Sequence, residues 1–210
     1  MKISGIISLL FLGFLANASV LQKSLDKHAK ATSIQYDIKK IDEKIILGTQ
    51  NESTGVLKYQ KSRIYILQNG DKKVEIYFSD KVLSLVEHPD LDFDKTAKRK
   101  VTVIKKLVPP LVKSLLNLFS NPKNFNKEFP IVSQNEKDGI VSYFLKSKEK
   151  NIKELNLKIN AKDLSLSELS FVDDVDTKTS IQFSNLKLNT KISKSDFQYK
   201  PLKTDEVMNE

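Results

Sequence analysis

His28 and His88 are the side chains best suited to metal or proton chemistry, and each stands alone. His28 falls on a segment with helical spacing and His88 precedes Pro89 in a loop, with no partner at metal-ligand spacing on a shared element. Asp90, Asp92 and Asp94 have the one-three-five spacing of a calcium loop. Lys95 stands where that loop needs Gly, however, and Val101 where it needs Glu. The 210 residues include no Cys, which removes disulfides, thiol nucleophiles and thiolate metal sites together. The 6 glycines are scattered and build no nucleophile elbow, phosphate loop or dinucleotide fingerprint. Scattered carboxylates leave a hydrolase as a rival reading, but no pair stands out. The sequence predicts no cofactor, no metal and no catalytic residue, and so a protein that is not an enzyme.

The remaining chemistry is apolar surface, and its spacing predicts what carries it. Val20 to Ala31 repeats apolar residues at helical intervals and is expected to form an amphipathic helix. Short alternating runs follow: Ile34 to Ile38, then Val56 to Gln60, Ile64 to Gln68, Val74 to Phe78 and Val82 to Val86. Asn69-Gly70-Asp71 is a hairpin turn, because Asn and Gly tolerate positive φ. Strand side chains repeat every two residues, so Leu57 and Tyr59 share a face with Lys61, and Val74, Ile76 and Phe78 share one. A curled meander would make these a concave wall; otherwise they are ordinary core. Pro109-Pro110 introduces a short greasy helix to about Phe119, bounded by Asn121-Pro122. Alternation returns over Ile140 to Lys146, Leu155 to Ile159, Leu166 to Val172 and Lys178 to Leu188. The polar tail after Leu202 reads as mobile.

Met1 to Ala18 differs in kind. Lys2 precedes an apolar run from Ile6 to Leu15, and Ala16-Asn17-Ala18 ends in the small residues that signal peptidase reads. Cleavage after Ala18 is expected, leaving residues 19–210 as one domain in the periplasm of a Gram-negative cell. With no Cys after the cleavage site, no lipid anchor can be attached. The formal net charge of +9 steers such a protein towards anionic membranes or acidic partners rather than nucleic acid, which an exported protein seldom meets. Lys dominates the basic residues, with Arg only at Arg63 and Arg99.

Gly55-Val56-Leu57-Lys58-Tyr59-Gln60-Lys61-Ser62 resembles the Gly-led strand ending in Arg-Pro of the LolA family of bacterial lipoprotein carriers. Ile64-Tyr65-Ile66-Leu67 stands where that family has an aromatic-rich strand, and Ser79-Asp80-Lys81-Val82-Leu83 is similar to its Ser-Asp-Gly turn. Thr179 to Asn189 and Phe197-Gln198-Tyr199-Lys200-Pro201 resemble its closing strands. The resemblance implies a mainly β (α+β) fold, an incomplete antiparallel β-barrel of about eleven strands under a helical lid, as in LolA and LolB. It implies a monomeric periplasmic chaperone that shelters the acyl chains of lipoproteins. These would come from an inner-membrane releasing ABC transporter (LolCDE-like) and pass to an outer-membrane acceptor (LolB-like). Leu57, Tyr59, Tyr65, Leu67, Ile76, Phe78, Leu83 and Leu85 are then the cavity wall, and Leu111, Leu115, Leu116 and Phe119 the lid. Lys61 falls at the family arginine that latches the empty lid, and it offers a flexible point charge in place of a planar fork. Lys81 replaces the turn glycine. The alternative within the same fold is a protein that binds another lipid or glycolipid, or that senses mislocalised lipoproteins.

Overall fold

The computed structural model describes residues 20–105, 109–148 and 152–209; the expected leader peptide lies outside them. Helix α1 (residues 20–30) opens the chain. Six strands follow: β1 (Ile34–Lys44), β2 (Thr49–Gln60), β3 (Arg63–Asn69), β4 (Lys73–Ser79), β5 (Val82–Glu87) and β6 (Lys100–Ile104). Helices α2 (Pro110–Ser120) and α3 (Pro122–Glu128) come next. The chain ends in β7 (Ile131–Lys137), β8 (Ile140–Leu145), β9 (Ile152–Asn160), β10 (Leu166–Asp173), β11 (Thr177–Leu188), a 3-10 turn over Lys194–Phe197 and β12 (Glu206–Asn209). All twelve strands form one sheet in the order β12-β6-β5-β4-β3-β2-β1-β11-β10-β9-β8-β7, whose two ends do not meet. The fold is the expected open, mainly antiparallel barrel. Among the described residues no helix is long and apolar enough to cross a membrane.

Strand pairing is fixed by tight turns. Lys61 and Ser62 have φ of 47° and 64°, and Asp80 and Lys81 have 52° and 67°, so each pair fills both central positions of a two-residue hairpin turn of the type that twists with its strands. The Lys at position 81 therefore leaves the turn tight, at the cost of a left-handed lysine, about 1–2 kcal/mol. Lys81→Gly relieves that strain but frees the unfolded chain, and we expect a net gain of about 0.5–1 kcal/mol. Urea denaturation measures it; a loss would mean that the Lys81 side chain stabilises the turn by contacts of its own.

One apolar cluster joins α1, α2 and α3 to strands on both sides of the β1–β11 seam, so the sheet curls round its helices. α1 buries Leu21, Ser24, Leu25 and His28, one helical stripe. α2 buries Val112, Leu115, Leu118 and Phe119, while Phe125 of α3 and Phe129 just beyond it join the same cluster.

The C-terminal segment corrects the mobile tail expected from its polarity. β12 pairs in parallel with β6, Glu206 opposite Lys100 and Val207 opposite Val101. Arg99 grips Asp205 through two bonds, Nε to Oδ1 at 2.8 Å and Nη2 to Oδ2 at 2.7 Å. Asp205 also accepts the Tyr199 hydroxyl and the Leu202 N–H. The Arg99 guanidinium holds its carboxyl well below the usual carboxylate range. Residue polarity does not disclose such a bidentate clasp between residues far apart in sequence.

Candidate functional site: the junction between sheet and helices

Cross-strand partners on one face of the sheet build two apolar rows under the helices. The first runs Ile34, Tyr59, Ile64, Phe78, Leu83, Ile104 and the second Tyr36, Leu57, Ile66, Ile76, Leu85. Leu57, Tyr59, Phe78 and Leu83 are buried, and Ile76 and Leu85 pack partly buried against the same cluster. These six of the residues singled out for the wall therefore share one face. Leu115 and Phe119 of α2 are fully buried upon that cluster, with Leu111 and Leu116 at its margin. The Phe119 ring lies 5.3 Å from that of Tyr59 and 5.8 Å from that of His28.

Tyr65 and Leu67 require correction. The tight turn pairs Tyr59 with Ile64 and Leu57 with Ile66, so the alternate residues of β3 face outward. Tyr65 donates a hydrogen bond to Glu75 Oε1 at 3.0 Å, and its ring lies 5.0 Å from Tyr77 and beneath the Lys58 ammonium. Leu67 sits opposite Val56 and Glu75 on the same outer face. The inward apolar residues of β3 are Ile64 and Ile66, 0% and 1% exposed. Lys61 is also displaced from its expected role: it is exposed at the tip of the β2–β3 turn. Among the described residues its ammonium has no hydrogen bond to α2, which packs on the sheet through Leu115 and Phe119.

A buried polar chain anchors the floor beneath Phe119, and sequence reading gave it no role. His28 Nδ1 is 2.7 Å from the Ser24 carbonyl, which can only accept, so Nδ1 carries the proton. Nε2 then accepts from the Tyr36 hydroxyl at 2.7 Å, and that hydroxyl accepts from Leu166 N–H at 3.0 Å. Ser24 Oγ donates to the Leu164 carbonyl at 2.8 Å, and Lys27 reaches the Asp163 carbonyl, so α1 is tied to the β9–β10 turn. The signal in sequence was His28 at the buried phase of α1 with Tyr36 at an inward phase of β1. Burial pushes the His28 imidazole down to about 4, with Lys27 adding to the effect and the Ser24 bond opposing it.

That depression has a sign that can be tested. Unfolded His28 takes up a proton near pH 6.5 while the folded form resists until about 4, so stability is full above 6.5 and falls as pH drops through that window. For this group alone the loss at pH 4.5 is about 2.5 kcal/mol. Urea midpoints of the wild type and His28→Gln across pH 7.5 to 4.5 measure it; equal slopes for the two would remove His28 as the source.

An open, mainly antiparallel sheet curled round helices, with one apolar cluster shared between sheet and helices, defines the architecture. The chain belongs to the LolA family: the sequence model of "Outer membrane lipoprotein carrier protein LolA" matches residues 93–200. It is similar to two proteins described as outer-membrane lipoprotein carrier proteins, from Pseudomonas syringae pv. tomato and pv. syringae. Each is 28% identical over 165 residues, 78% of this chain and 75% of the relative. The fold is also like that of an uncharacterized conserved protein from Thermus thermophilus. That likeness has a TM-score of 0.51 at 9% identity and covers 92% of this chain and 99% of that one.

Proposed function

We propose that this protein is a non-enzymatic periplasmic carrier, which takes acylated lipoproteins released from the inner membrane and shelters their acyl chains between the sheet rows and α2 until an outer-membrane acceptor receives them. The observation that carries the reading is the division of one apolar cluster between a curled sheet and a short helix that has neither an acidic first turn nor a side-chain cap. Family membership supports the cargo class.

The energetics suit a lid that closes when empty and opens when loaded. Lifting α2 exposes Val112, Leu115, Leu118 and Phe119, a cost of about 6–12 kcal/mol at 1.5–3 kcal/mol for each side chain. One acyl chain sheltering about 12 methylenes returns about 10 kcal/mol, so one chain roughly balances the opening and a second or third exceeds it. Asn117 on α2 lowers the barrier further. Its Oδ1 accepts from Asn124 at 2.8 Å, but its buried Nδ2 has no partner among the described residues. Asn117→Leu is expected to stabilise the closed form by about 1 kcal/mol and weaken cargo uptake about fivefold. Stronger uptake would contradict the lid's assigned role.

The reading is tested by isolating the protein from the periplasm and analysing it by native mass spectrometry, followed by transfer from lipoprotein-loaded inner membranes. Bound acylated peptide and dose-dependent release of lipoprotein support it. Binding of free lipid or glycolipid with no lipoprotein release contradicts it.

A further inference from the structure

We infer that the end of the sheet formed by the β2–β3 and β4–β5 turns is a docking surface for an anionic phospholipid bilayer. Lys61 and Arg63 lie at the first turn, Lys81 at the second and Lys105 just beyond β6. Val82 and Ile104 close the β5 and β6 ends there, since Leu83 pairs with Ile104. Neighbouring strands lie about 4.8 Å apart, so these four cations line about 15 Å of one rim. Lys30 at the end of α1 and Lys191 extend the rim, because Thr32 is bonded to Asn189 and Ser33 to the Thr190 carbonyl. Asp80 is the acid within these two turns; nearby Asp196 is held by Lys58 at 3.0 Å. The opposite end is mixed in sign: around its β1–β2, β3–β4 and β10–β11 turns, Asp71, Asp173, Asp174 and Asp176 alternate with Lys44, Lys72, Lys73 and Lys178, and Lys153 is paired with Asp176.

Three features favour a bilayer over a protein partner. Both turns hold their residues at positive φ, so Lys61 and Lys81 stand at the tips, where both are exposed. The rim is mostly Lys, a mobile point charge suited to a diffuse anionic plane, rather than Arg forks that recognise one defined group. The turn residues Lys61, Ser62, Asp80 and Lys81 include no aromatic or aliphatic anchor of the kind that centres a protein interface. The apolar row from Ile34 to Ile104 runs alongside this rim, each member at or next to a strand end, so docking presents that margin of the interior to the headgroups. Only that last consequence rests on the carrier reading.

The test is co-sedimentation of the mature protein with phosphatidylcholine vesicles, with and without roughly 30% phosphatidylglycerol. The expected result is binding that requires phosphatidylglycerol and is lost between about 0.1 M and 1 M salt, as the screening length falls from about 10 Å to about 3 Å. Arg63→Glu, Lys81→Asp and Lys105→Glu together should weaken binding at least about 100-fold, at ~5-fold for each cation removed. Lys44→Glu, Lys72→Glu and Lys178→Glu change the net charge equally at the other end and should weaken it by less than about threefold at the same salt. Equal losses in the two triple variants would assign the effect to net charge, and wild-type binding indifferent to phosphatidylglycerol would remove it; either result overturns the inference. So does a rim variant that binds vesicles normally but fails to engage an acceptor protein. Melting curves of both variants establish that they fold, and acyl-peptide uptake without vesicles reads the carrier function separately.

Discussion

Gly55→Ala is expected to be among the most damaging single substitutions in the sheet, although it adds one methyl group. A Cβ built at Gly55 lies 1.8 Å from the Leu67 carbonyl oxygen and 2.7 Å from its carbon. Both are backbone atoms of the neighbouring strand, so no side-chain rotation relieves the clash; β2 and β3 must separate where Gly55 pairs with Gln68. In an ordinary strand the same change would gain about 0.5–1 kcal/mol by restricting the unfolded chain, whereas here we expect a loss of about 3 kcal/mol or more. Gly139→Ala is the control. Its surroundings are open, and its φ of +76° leaves only the left-handed cost of about 1–2 kcal/mol. Chemical denaturation of the two variants compares them directly, and equal losses would mean that the close approach of β3 is not what Gly55 serves.

Phe119→Ala should move stability and cargo affinity in opposite directions. Removing a fully buried Phe costs about 3–5 kcal/mol, and here the loss falls on the closed lid, since the ring rests on Tyr59 and His28. If empty protein must open before it binds, a cheaper opening raises apparent affinity for an acylated peptide, by about 10- to 100-fold after allowing for the lost contact with cargo. Hydrogen exchange across Pro110–Ser120 should accelerate by a comparable factor. An affinity that fell along with stability would make Phe119 a wall residue and α2 a fixed part of the core.

The strands were legible where one face is buried and a turn resets the phase. Ile64 to Gln68, Val74 to Phe78 and Val82 to Val86 alternate clearly and lie within β3, β4 and β5. The inward face of β3 was not legible, because Ile64-Tyr65-Ile66-Leu67 is apolar on both sides; only the register imposed by the Lys61-Ser62 turn decides it. β7, with Val132 54% exposed and a polar run after it, gives no period to read, and α3 is a single short helix between prolines. The site was half visible for related reasons. Leu115 and Phe119 are greasy at helical spacing, whereas the His28–Tyr36–Leu166 chain depends on elements joined only by the fold. The clasp of β12 by Arg99 is long-range in the same way, so a polar tail conceals a strand.

Because the chain has no cysteine, the lid can be fastened and released at will. Tyr59→Cys and Phe119→Cys, joined by a short bis-maleimide with a cleavable disulfide, would tie α2 to β2 in the folded protein. Uptake of a fluorescent triacylated peptide by the tied, untied and reduced forms is the most direct measure of the central claim. The lid account predicts uptake by the untied form, at least a tenfold loss in the tied form, and recovery after reduction. Equal uptake by the tied and untied forms would contradict it, because acyl chains would then be entering without α2 moving.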